Sequence, residues 1–236
     1  MFDNLRAKAK KEYRQEKAKL AVMSREDRRW YIWAYYKVHI LLGAAALLLI
    51  GYCVNIFLIN PPKAYYITFA LYGEYIPTEV AQQFRQNMAD ALDINQKKQQ
   101  VMTFNFYYDA GNANLSAAMS QKYMSLVYVR QVDLVLADSD DFNTMAQNSE
   151  FLSLDQLLTP GQLKTLGDLI LWQHQADDLN GHPYGLKMDG SQALYDSNLY
   201  SAGKVLSVCA TSKNMDKILQ TIEYFFPQIT QQETAS

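Results

Sequence analysis

The pattern of apolar and polar positions changes character twice along this chain. Residues 3 to 23 are dominated by Lys, Arg, Glu, Gln and Ala, strong helix formers with no continuous apolar stripe, and predict a solvated helix. Ser24, three positions before Asp27, marks a fresh helix start. The stretch ILLGAAALLLIGYCVNIFLI, Ile40 to Ile59, then runs without a formal charge. Twenty helical residues rise roughly 30 Å, the thickness of a bilayer's hydrocarbon core. A buried helix of a soluble domain shows polar positions along one side, whereas here only Asn55 is strongly polar. The reading is a transmembrane helix over residues 38 to 59, ended by Asn60, Pro61 and Pro62.

Beyond Pro62 the periodicity alternates between two and three to four. YYITFAL (65 to 71), VMTFNFY (101 to 107) and VDLVLAD (132 to 138) have strand composition. Between them, residues 79 to 92 repeat Val80, Phe84, Met88 and Leu92 at helical spacing, and residues 114 to 129 form a second helical stretch. FLSLDQLL and TPGQLKTL predict short helices, the second capped by Thr159 with Pro160 at its first position. Asn180-Gly181 is a turn signal before PYGLKM, and KVLSVCAT (204 to 211) reads as a further strand. Ser212 can cap a last helix carrying Met215, Ile218, Leu219, Ile222, Phe225 and Phe226 on its inner side. Strands alternating with helices predict one α/β domain of three layers over residues 60 to 236, with a mostly parallel sheet of about five strands.

Charge adds a direction. Residues 1 to 37 hold 11 Lys/Arg against 5 Asp/Glu, and residues 60 to 236 hold 11 against 19. Basic residues flanking a span stay in the cytoplasm, so residues 1 to 37 form a basic cytoplasmic tail and the α/β domain lies on the other side of the cell membrane. Trp30, Tyr31, Trp33, Tyr35 and Tyr36 suit the inner interface, and Tyr65 and Tyr66 the outer one. A basic segment beside an anionic leaflet also makes the lipid bilayer itself a partner. A cleaved signal peptide fits poorly, because its charged region would be 37 residues long. Cys53 follows bulky Tyr52 where a lipoprotein cleavage site needs a small residue, and Cys209 has no cysteine partner in the outer domain.

The chemistry is sparse. The acidic outer domain argues against nucleic acid, whose phosphates need clustered Lys and Arg. No dinucleotide fingerprint, phosphate loop or nucleophile elbow is present, and no cofactor is implied. SAGK (201 to 204) lacks the companion motifs of penicillin-interacting enzymes. His174, Asp177, Asp178 and His182 crowd HQADDLNGH, yet without a zinc-type spacing they read as a solvated loop, not a metal site. In LADSDDF, Asp138 ends a strand, and Ser139 or Asp140 can cap a helix entered at Phe142. The same carboxylates lie where open α/β sheets bind ligands. Twelve tyrosines beyond Asn60 supply amphipathic contact area and favour binding over catalysis.

The order of VMTFNFY, a helix, VDLVLADSDDFNTMAQNSEFLSLDQLL, GHPYGLKM and KVLSVCATSKNMDKILQTIEYFF resembles extracellular solute-binding proteins of bacterial transporters. The resemblance implies a ligand edge at Tyr72, Tyr107, Asp138, Ser139 and Asp140, and a small solute as partner. This chain departs from the family in three ways: it has room for one lobe where the family has two, a retained helix replaces the usual lipid anchor, and Lys187 stands where proline often follows Y-G-L. The expectation is a single-pass membrane protein whose outer lobe binds and does not catalyse. The alternative is a scaffold that docks another envelope protein and takes no small ligand.

Overall fold

The computed structural model describes residues 2–108, 111–175 and 178–230, with the side chains of 2–9, 12, 175, 178 and 179 excepted. The chain divides into two units, Met1–Pro62 and Lys63–Ser236.

In the first unit, α1 (Phe2–Val22) is followed by α2 (Arg25–Val54), which continues into a π-helical turn, Asn55–Ile59. Ser24 caps α2, accepting from the Asp27 amide at 3.2 Å. Arg28 reaches back to the Leu20 carbonyl at 2.9 Å, and the Tyr31 hydroxyl donates to Glu16 at 2.9 Å, tying the two helices together. Arg25–Ile59 is, among the described residues, the one helix long and apolar enough to cross a membrane. No break separates the aromatic segment from the apolar stretch, because nothing between Arg25 and Val54 interrupts helical backbone. Asn55 is not left seeking a partner: Asn60 Nδ2 donates to its Oδ1 at 2.9 Å.

The second unit is built from β1 (Ala64–Gly73), α3 (Thr78–Ala91), β2 (Gln99–Tyr107), α4 (Ala113–Tyr128), β3 (Leu134–Asp138), α5 (Ser139–Gln147), α6 (Pro160–Leu166), β4 (Ile170–Gln175), β5 (Asp178–Lys187), α7 (Gln192–Tyr195), β6 (Lys204–Val208) and α8 (Met215–Phe225). The sheet order is β2-β1-β3-β6-β5-β4. Six strands replace the expected five, and only β2-β1-β3 run parallel; β3 with β6, β6 with β5 and β5 with β4 are antiparallel. The expectation of a mostly parallel sheet therefore fails in the second half. Ile170 to Gln175 is half polar and sits at an edge, so it carries no readable alternation. Asn180-Gly181 lies inside β5 instead of forming a turn, and Pro183 is accommodated where the register of β4 and β5 shifts.

Alternation across the sheet makes two cores and hence three layers. Ile67, Phe69, Leu71, Leu134, Leu136 and Leu206 face α3 and α8, packing on Phe84, Met88, Ile218 and Ile222. Ala70, Tyr72, Val135, Ala137 and Val205 face the other way, towards Tyr123 and Val127 of α4 and Phe142 and Met145 of α5. Gly185 permits this second packing, since a Cβ there would meet Phe142 at 2.7 Å and Val205 at 2.5 Å. Cys209 is wholly buried in the same core, as its small apolar character suggests.

Two local expectations are revised. Thr159 and Gln162 form a reciprocal capping box on α6, but FLSLDQLL yields only a short 3-10 turn, Leu154–Gln156. Ser212 does not cap α8, whose first residue lies three positions on. Its hydroxyl donates to buried Asp133, which also accepts from the Thr68 amide and Asn214 Nδ2, each at 2.9 Å. Three donors satisfy this buried carboxylate and join β1 to the start of α8.

Candidate functional site

The carboxyl ends of β1, β2 and β3 meet at one edge of the sheet, and the acidic stretch Asp138 to Asp141 lies there. The helix begins at Ser139, three residues earlier than expected. Asp138 takes the cap position in extended conformation, with φ −69° and ψ 157°, yet makes no capping hydrogen bond. Its carboxylate is engaged elsewhere: Oδ1 lies 2.8 Å from Lys204 Nζ. Ser139 is the first helical residue and no cap either; its amide and hydroxyl both donate to the Gly203 carbonyl, at 3.1 and 3.0 Å. Asp140 and Asp141 occupy the first turn, where negative charge suits the helix's positive end. The capping role expected of Ser139 or Asp140 is thus replaced by strand pairing, because β6 brings Gly203 and Lys204 alongside the end of β3.

Lys204 is buried to 4% exposure and contacts two acids, Asp138 and, at 3.2 Å, Glu74. Gly73 brings the two halves of the edge together. It has φ +116°, and a Cβ on it would lie 2.4 Å from Asp138 Oδ2 and 3.2 Å from Asp141 Oδ2. Two carboxylates therefore converge over one glycine.

Behind this edge, a cleft of about 140 Å³ opens between α4 and α5. Tyr72 and Tyr108 join hydroxyls at 2.6 Å, and the Tyr72 ring stands edge-on to Tyr123 at 5.1 Å. Asp141, Ser120, Thr144 and Glu150 add polar groups to its lining. The buried Tyr123 hydroxyl lies against the Glu150 carboxyl, which interacts with it and with Asn148. Burial pushes the Glu150 carboxyl up, and it pushes Asp141 up with help from the charge of Asp138. The Tyr108 and Tyr123 phenols are raised as well, first by burial. Such a lining offers hydrogen-bond acceptors and ring faces in a site that holds charge reluctantly.

Of the residues expected at a ligand edge, Tyr72, Asp138, Ser139 and Asp140 come to this end of the sheet. Tyr72 lines the cleft from within, whereas exposed Ser139 and Asp140 stand outside it. Tyr107 also ends its strand here, opposite Gly73, but alternates to the other face from Phe106, away from the cleft, and packs edge-on against Tyr75 at 5.2 Å. Tyr108, Tyr123, Asp141, Glu150 and Lys204 were not singled out from the sequence. Tyr123 lies at helical spacing and reads as core, and only strand order brings Lys204 to Asp138. Of the His-Asp cluster, Asp177 lies outside the described residues, and His182 Nδ1 lies 3.1 Å from Asp155. Among the described residues no three His, Cys, Asp or Glu side chains gather to hold a metal ion.

No family model and no curated protein sequence matches this chain. Solved structures similar to it include an extracellular solute-binding protein family 1 member from Alicyclobacillus acidocaldarius, at 15% identity and TM-score 0.33 over 54% of this chain and 28% of that one. The bacterial solute receptor AcbH, described as preferring β-D-galactopyranose, is 13% identical with TM-score 0.31, over 55% of this chain and 29% of its own. The N-glycan transport solute-binding protein NgtS from Streptococcus pneumoniae, solved with Man1GlcNAc, is 16% identical with TM-score 0.27, over 53% and 25%. This chain spans between a quarter and a third of the length of these proteins. What it resembles is part of an extracellular solute-binding protein.

Proposed function

We propose that this is a single-pass membrane protein, anchored by Arg25–Ile59, with its basic tail in the cytoplasm and its α/β lobe outside, and that the lobe acts by binding and not by catalysis. One observation carries the binding reading: a cleft of about 140 Å³ at the ends of the parallel strands is lined by Tyr72, Tyr108 and Tyr123 together with Asp141 and Glu150. Ligand sites in open α/β sheets lie at this end of the strands.

The test is a thermal melt of the purified chain in detergent against separate panels of sugars, amino acids, amines and short peptides. A ligand that binds only the folded state raises the melting temperature with its concentration. A rise with one chemical class, lost in Tyr123→Phe or Glu150→Gln, supports the reading; no rise with any class overturns it.

A second reading, docking of another envelope protein, rests on different residues. Tyr195 and Tyr200 are 75% and 69% exposed and flank a shallow depression lined also by Asp196 and Leu199. Exposed tyrosines of this kind suit protein contacts. Cross-linking in intact membranes from positions 195 and 200 tests it: a discrete heterologous product supports docking, and uniform solvent labelling opposes it.

A further inference from the structure

We infer that the groove between α3 and the start of β2 takes a phosphate group, held by Lys63 and Arg85, and that the phosphate within its reach is a phospholipid headgroup of the anchoring membrane. This groove is separate from the cleft between α4 and α5, and only the lipid source rests on the proposed anchoring by Arg25–Ile59.

Spacing along the chain builds the groove. Gln82, Arg85, Gln86 and Ala89 recur at intervals of three and four, so they share one face of α3. Gln99 and Val101 alternate onto the face of β2 that α3 covers, and Lys63 stands just before Ala64, the partner of Gln99. Together they line a volume of about 230 Å³ beside the terminal strand of the sheet.

Charge sets the sign of the ligand. Two cations line the groove, and no Asp or Glu stands among its lining residues. Among the described residues neither Lys63 nor Arg85 makes an ion pair. Arg85 is half-buried, and its guanidinium gives one hydrogen bond, to the neutral Thr103 hydroxyl at 2.7 Å. Its remaining N–H donors have no protein acceptor among the described residues. Asp90, beside the groove, accepts from the Gln86 and Gln96 amides and is not within ion-pair distance of Arg85. Withdrawing a cation from water without a counter-charge is costly, and an anion in the groove supplies one.

The donor set narrows the anion. A carboxylate offers two oxygens in one plane, whereas a tetrahedral phosphate presents oxygens in several directions. It can therefore accept from the Arg85 fork, the Lys63 ammonium and the Gln99 amide together.

Chain reach identifies the source. Lys63 lies four residues beyond Ile59, where the membrane-length helix ends. Four residues span at most about 14 Å, whatever the angle between helix and lobe. The headgroup layer is about 5–8 Å deep on each side of the hydrocarbon core, so Lys63 is tethered close to lipid phosphates.

The experiment compares the purified full chain in a phosphate-free maltoside detergent with the same chain in phosphatidylglycerol nanodiscs. Calorimetric titration and melting curves are recorded with inorganic phosphate and with acetate at matched ionic strength. In detergent, saturable binding is expected for phosphate and not for acetate, and Lys63→Gln and Arg85→Gln should each weaken it about tenfold or more. Lys164→Gln, which removes an exposed charge on α6, should leave it unchanged. Lys63 is exposed, so its variant is expected to fold, and full affinity in Lys63→Gln overturns the inference. An equal response to acetate, or no saturable phosphate binding in detergent, overturns it as well. In nanodiscs the lipid should already fill the groove, so added phosphate should bring no further rise in melting temperature. A rise that persists there overturns the lipid source and leaves free phosphate as the ligand.

Discussion

Lys204 Nζ lies 2.8 Å from Asp138 Oδ1, the residue directly opposite it in the antiparallel pairing of β3 with β6. Together with the Ser139 bonds to Gly203, this contact joins the parallel and antiparallel halves of the sheet at the acidic edge. Replacing Lys204 with Met leaves Asp138 and Glu74 without their shared cation beside Asp141. The expected cost is about 2 kcal/mol, less than the about 3–5 kcal/mol for breaking a fully buried pair, because Asp138 and Glu74 remain 45% and 55% exposed. Asp138→Asn keeps an acceptor for Lys204 and should cost less. Urea unfolding of both variants checks the order.

The first turn of α5 separates capping from dipole effects. Asp140 makes no capping bond, so its contribution is charge alone, about 0.3–1 kcal/mol at low ionic strength. Asp140→Asn should therefore lose as much stability as Asp140→Ala, and added salt should erase both losses. A true cap would be preserved by Asn. Ser139→Ala removes one hydroxyl bond to Gly203, at a cost of about 0.5–1.5 kcal/mol that salt leaves untouched. Unfolding at two salt concentrations distinguishes them.

Gly73→Ala combines backbone strain at φ +116° with a Cβ placed 2.4 Å from Asp138 Oδ2. A loss of about 2–3 kcal/mol is expected. In an Asp138→Ala background the steric part disappears, so the penalty for Gly73→Ala should fall to its strain part alone. The double-mutant cycle measures that coupling directly.

Glu150 and Asp141 titrate above their ordinary range because of burial, so the folded state binds protons more tightly than the unfolded chain. For an acid shifted upward, stability falls as pH rises from the unfolded value, about 4.5 for Glu150, through the folded one, and the loss is complete above it. Asp155, beside His182, is shifted downward and acts oppositely, contributing stability that is lost as pH falls below about 4. The lobe should hence melt higher at about pH 5 than at about pH 7.5. Glu150→Gln should raise the neutral-pH melting temperature and flatten this difference; an unchanged slope would contradict it.

Topology is checked by proteolysis. Protease added to intact cells is expected to remove the region after Pro62 and spare residues 1 to 37, following the basic residues before the span. Cleavage confined to the basic tail would reverse the orientation. Replacing Cys53 with Ser should leave the protein membrane-bound, as the proposed anchoring by Arg25–Ile59 requires; release from the membrane would contradict it.

The sequence alone was enough wherever neighbours along the chain decide the outcome. The charge-free, largely apolar run from Ile40 to Ile59 suffices for a membrane-length helix, Ser24 and Thr159 cap their helices through residues three positions away, and β1, α3, β2, α4 and β3 follow directly from their periodicity. The site was only partly legible: Asp138 and Tyr72 stand at the predicted edge, but Tyr107 turns to the other face and Tyr108, Tyr123, Glu150 and Lys204 went unread. Their roles come from pairings across long separations. β6 inserted antiparallel beside β3 takes Asp138 for Lys204 and Ser139 for Gly203, which removes the capping roles that local spacing favours. The Asn180-Gly181 dipeptide lies inside β5 where the β4–β5 register is irregular, between the Gln175–Asp178 and Gln173–His182 pairs. Local propensities amount to about 1 kcal/mol per residue, whereas sheet order fixes which side chains share a buried cleft, and burial there is what raises Glu150 and Tyr123.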